Sequence, residues 1–79
     1  MIIPDKIDIC GHDVTIEKVE NVFDTDGSPC IGMAYLMRDT IEIATMLTGT
    51  IVSEDNRSMA FLHEVFHHLS DKLDIELAR

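Results

Sequence analysis

From Glu54 to Leu73 the chain holds neither glycine nor proline, whereas all four glycines and both prolines fall before residue 50. Nothing in that stretch removes a backbone donor or loosens the backbone, so one long helix is predicted over about 54–73. Ser53 stands where its side chain can cap the first turn, and Glu54 and Asp55 place negative charge against the exposed N–H groups there. The first two thirds of the chain must fold another way.

There the hydrophobic period is two. Ile7 and Ile9 lead to a break at Cys10-Gly11-His12-Asp13, after which Val14, Ile16 and Lys18 share one face, which predicts a hairpin. Phe23 to Pro29 is dense in turn formers and reads as a loop, with Asp26-Gly27 offering a residue that tolerates positive φ. Cys30 to Met37 resumes extended character, Arg38-Asp39 is a polar turn, and Thr40 to Thr45 alternates with Ile41 and Ile43 inward. Thr48-Gly49-Thr50 then breaks the pattern. The expectation is a single α+β domain over 1–79: an antiparallel sheet of about four strands, two hairpins within 6–45, packed on one long helix. Thr40–Thr45 is a candidate edge for adding an extended peptide, and an interior position for it is equally open.

On a helical wheel with Leu62 at zero, Leu69, Leu73 and Phe66 fall within about 40° and Met59 and Val65 within about 60°. That stripe is the expected core face. His63 and His67 sit on its flank at about 100° and 140°, with Asp71 and Glu64 beyond at about 180° and 200°.

Composition narrows the function classes. Six Lys and Arg against fifteen Asp and Glu give a formal charge of -9, which repels nucleic acid and anionic membrane alike. No apolar run approaches the ~20 residues that cross a bilayer, and Met1-Ile2-Ile3 runs straight into Pro4 and Asp5 without a basic leader, so a cytoplasmic location is expected. Cys10 and Cys30 are too few for a disulfide scaffold and are expected as reduced, buried thiols. The five Met residues are expected as core filler. A chain this short without a staple invites a metal, a partner or a further segment to complete it.

Within the predicted helix lies His63-Glu64-Val65-Phe66-His67, an H-E-x-x-H pattern. Spacing of i and i+4 puts two imidazoles one turn apart on one face, close enough to share a tetrahedral Zn²⁺, with the intervening Glu64 in reach of a metal-activated water as general base. Strand hairpins followed by a helix with this motif resemble the zincin metallopeptidases. The run Phe61-Leu62-His63-Glu64-Val65-Phe66-His67-His68-Leu69 is similar to the small phage and bacterial metallopeptidases of the ImmA/IrrE-like group, the resemblance covering roughly residues 31 to 74. It implies a zinc-dependent peptidase with His63 and His67 as ligands, Glu64 as base, a sheet-edge strand holding an extended peptide, and a third ligand, commonly Glu, from a later helix.

The chain departs from that pattern, because twelve residues follow His67 in this sequence and cannot form a useful second helix. The third ligand is left to Asp71, Asp74, Glu76, a partner chain or a further segment. Ligands at i, i+4 and i+8 of one straight helix span about 12 Å along its axis, so Asp71 is expected to be solvated or supporting rather than ligating. His68 projects about 100° away from His67 and is expected to be packed or exposed. His12 is read as a turn residue, and Asp24, Asp26 and Gly27 as an ordinary turn rather than a calcium loop. Two functions follow: a peptidase acting on a peptide or protein substrate, or a catalytically inactive zincin-like binding module that docks to a protein partner or self-associates.

Overall fold

The computed structural model describes residues 1–73. Strands β1 (Lys6–Ile9) and β2 (His12–Val19) form the first hairpin, followed by the two-residue strands β3 (Val22–Phe23) and β4 (Pro29–Cys30). Strands β5 (Gly32–Tyr35) and β6 (Thr40–Ala44) flank a 3₁₀ turn at Leu36–Arg38, a short hairpin joins β7 (Met46–Leu47) to β8 (Thr50–Ile51), and helix α1 covers Glu54–Leu73. The turn between β1 and β2 is only Cys10-Gly11, both at positive φ (52° and 85°), so His12 and Asp13 belong to the strand. Cys10 is exposed there and Cys30 half-buried, correcting the expectation of buried thiols.

The main sheet has the order β1-β2-β6-β5 and is mixed, not antiparallel. Both expected hairpins form, but they join through a parallel pairing of β2 with β6, Ile16 opposite Ile41. Alternation cannot reveal this, since period two sends the same side chains inward whichever way a neighbour runs. The chain leaves β2, makes the β3–β4 hairpin and returns through β5, which supplies the long crossover a parallel pair requires. In consequence β6 is interior, paired on both sides, the second of the two positions open for Thr40–Thr45, and no free edge lies there. The free edges of this sheet are β1 and β5.

Helix α1 packs on one face over β5 and β6. Ile3, Ile9, Val14, Ile16, Ile41, Ile43 and Phe61 form the core, with Ala60, Val65 and Leu69 against it. The inward face is rotated by about 100° from the expected stripe: Met59, Leu62, Phe66 and Leu73 are exposed, and Phe61, Glu64 and His68 are buried. The rotation has a physical cause. His68 donates from Nε2 to the Thr40 carbonyl at 3.1 Å, and Lys72 reaches Asp39 at 2.7 Å. These partners offset part of the cost of burying polar groups on the inner face, where His68 Nδ1 and Ser58 Oγ are buried without a hydrogen bond among the described residues, and a wheel of hydrophobicity cannot see them. Methionine is not core filler, since Met1, Met37 and Met59 are exposed and none is buried.

Helix capping follows the sequence. The Asn56 N–H donates to Ser53 Oγ at 3.2 Å, and Glu54 and Asp55 occupy the first turn. The Phe23–Pro29 loop is a turn held by Asp24, whose Oδ1 accepts from the Asp26 and Ser28 N–H groups. No helix among the described residues is long and apolar enough to cross a membrane.

Candidate metal centre

Helical spacing brings His63 and His67 together on the flank of α1 that borders β5. Their Nε2 atoms lie 3.0 Å apart, with ring centroids at 4.6 Å and planes at 86°. Counting one ligand atom each, His63, Glu64 and His67 all lie within 4.8 Å of one another, so this group could hold a metal ion. His63 is exposed, His67 half-buried and Glu64 largely buried.

The close approach of two Nε2 atoms is itself informative. One nitrogen must carry the proton that the other accepts, because two N–H groups or two bare lone pairs would repel at that distance. The same two nitrogens are close enough to ligate one metal ion in place of the shared proton. Each ring is held by its place on the helix and by the contact with the other ring.

Glu64 is 7% exposed and accepts no hydrogen bond from a described residue. Burial pushes its carboxyl above the ordinary value of 4.5, opposed by the nearby His63 and His67. Glu64 also lines the cavity beside His67, and a cation at the adjoining histidines would stabilise its charged form. The space Glu64 occupies is made by β5. A Cβ built on Gly32 would meet Glu64 Oε2 at 3.0 Å, Glu64 Cγ at 3.1 Å and Ala60 Cβ at 3.3 Å, and Gly32 has no positive φ that would otherwise call for glycine.

Beyond Gly32 the edge strand continues alongside the cluster. Ala44 N–H donates to the Ile31 carbonyl at 2.7 Å, which fixes the alternation of the β5–β6 ladder and leaves the N–H and C=O groups of Gly32 and Ala34 facing outward. Met33, Ala34 and Leu36 with Glu64 and His67 line a cavity of about 210 Å³ at this edge. Gly32 and β5 were not singled out in the sequence, although a glycine interrupting an extended run is a known mark of close backbone approach.

The remaining candidates lie elsewhere. Asp71 is exposed, 3.8 Å from Lys72 Nζ, and is not part of the group. Asp74 and Glu76 lie outside the described residues. His68 is fully buried, and that burial lowers its pKa despite the hydrogen bond to Thr40. His12 faces Asp39, its Nδ1 3.6 Å from Oδ2, near the end of α1 that carries Lys72. Burial raises the Cys30 thiol, with the charges of Asp24, Glu64 and Glu42 adding to the effect.

Fold and site together define an α+β domain whose single long helix among the described residues carries a His/Glu/His group beside a sheet edge. No family model matches the chain, and no curated protein or solved structure shows significant similarity to it.

Proposed function

We propose that this protein is a zinc-dependent metallopeptidase-like protein that hydrolyses peptide bonds, with His63 and His67 holding the metal and Glu64 acting as general base. The observation that carries the reading is the paired Nε2 atoms at 3.0 Å with a buried carboxylate in the same group. Zinc bound there would supply a Lewis acid that acidifies water and polarises a carbonyl. Glu64, packed near Gly32 and set between the histidines, takes the proton at its carboxylate and returns it to the leaving amine. The outward Ala34 N–H and C=O, with the Gly32 C=O, hold the substrate backbone as an added strand.

A second reading, a binding module without catalysis, draws on the exposed stripe of Met59, Leu62, Phe66 and Leu73 along α1. The two are separated by metal and turnover. Protein purified without chelator or nickel should carry zinc by mass spectrometry, lose it in His63→Ala and His67→Ala, and keep it in Glu64→Gln while peptide turnover disappears. Unchanged zinc stoichiometry in His67→Ala would refute the site. Zinc-loaded wild type without turnover on a peptide library would leave the binding module as the better account.

A further inference from the structure

A second cavity, of about 310 Å³, lies under the β7–β8 hairpin at the N-terminal end of α1. Ile31, Leu47, Ile51 and Val52 give it apolar walls, and Thr48, Thr50, Ser53 and Asn56 its polar ones. Two of these residues tie it to the metal centre. Ile31 immediately precedes Gly32, the residue against which Glu64 packs. Asn56 precedes His63 by seven residues and His67 by eleven, so both histidines lie within about 20° of Asn56 on one stripe of α1. The cavity and the metal centre thus lie along the same seam between α1 and β5. The smaller cavity at Ala34 and Leu36 lies on that seam at His67.

We propose that this cavity is a subsite that takes the aliphatic side chain of an extended peptide whose backbone runs along β5, the inference resting on the peptidase reading above. Seven helical residues rise about 10 Å. That is close to three residues of extended chain at about 3.3 Å each, so the anchoring side chain sits two to four residues from the carbonyl at the metal centre. An aliphatic occupant is favoured by the lining, and especially by Ile51, a β-branched residue left 77% exposed at the cavity wall. A peptide is favoured over a free apolar molecule because the seam that leaves the cavity is a strand edge with the Ala34 N–H and C=O facing outward, groups that recognise a main chain. The Asn56 amide at the rim has donors and acceptor to spare for that main chain.

The test walks one leucine through fluorescein-labelled Ala/Ser octapeptides and reads anisotropy with the full chain, with and without added zinc. One register of leucine should bind about ten-fold more tightly than the leucine-free peptide, as expected for filling an apolar pocket. Ile51→Ser and Leu47→Ala should each flatten that preference while leaving zinc stoichiometry intact. Ile51 is mostly solvent-facing, so its variant keeps the fold, which a thermal melt verifies. Equal affinity at every register overturns the subsite, and so does a preference that survives both substitutions, even where zinc-dependent cleavage is seen. A register preference abolished by Ile51→Ser but unaccompanied by cleavage supports the subsite and refutes the peptidase reading.

Discussion

Replacing Gly32 with alanine offers the sharpest test of how the fold makes room for the site. The added Cβ would lie 3.0 Å from Glu64 Oε2 and 3.1 Å from its Cγ, so the glutamate must shift by several tenths of an ångström in a pocket already closed by Ala60 at 3.3 Å. Overpacking of this kind costs about 1–3 kcal/mol. Restricting the unfolded chain returns about 0.4–1 kcal/mol, since the backbone at Gly32 suits any residue. The net expectation is a loss of about 1–2 kcal/mol, or a fall in melting temperature of about 4–15 °C for a domain of this size. In a Glu64→Ala background the obstruction is gone, and Gly32→Ala should be neutral or stabilising. Thermal and urea unfolding of the four proteins of this cycle, all metal-free, would give a coupling of about 1 kcal/mol or more. A Gly32→Ala penalty that is the same in both backgrounds would refute the argument that Gly32 exists to accommodate Glu64.

Three further outcomes are expected. Phe61→Ala should cost about 3–5 kcal/mol, and Leu62→Ala, on the exposed side of α1, under about 1 kcal/mol; denaturant titrations showing the reverse order would overturn the observed rotation of the helix. The raised Glu64 carboxyl means the folded, metal-free protein binds a proton more readily than the unfolded chain, so its stability contribution is present at low pH and lost as pH rises from 4.5 through the folded value. Glu64→Gln should flatten that decline in melts across pH 4 to 7. Asp39 is held below 3.8 by its hydrogen bond to Lys72, so its contribution is present above that value and lost as pH falls through the folded one; Lys72→Met should weaken the acid limb, and an unchanged limb would count against the Asp39–Lys72 link.

The sequence by itself determined what depends on local spacing. A glycine-free and proline-free run after Ser53 becomes α1 because capping and propensity act within a few residues. The alternation at Ile7–Ile9, Val14–Ile16 and Ile41–Ile43 becomes the inward face of the sheet. The i, i+4 spacing of His63 and His67 alone is enough to bring two imidazoles within 3.0 Å. Tertiary structure decided what depends on partners distant in sequence. It paired β2 with β6 in parallel, which put Thr40–Ala44 inside the sheet and Gly32–Tyr35 at its free edge. It turned α1 so that His68 meets the Thr40 carbonyl and Lys72 meets Asp39, leaving Leu62 and Phe66 in solvent. It also set Glu64 against Gly32, thirty-two positions away. Strand direction, helix rotation and close backbone approach are properties of pairs of segments, and a single segment's hydrophobic pattern is the same for each alternative.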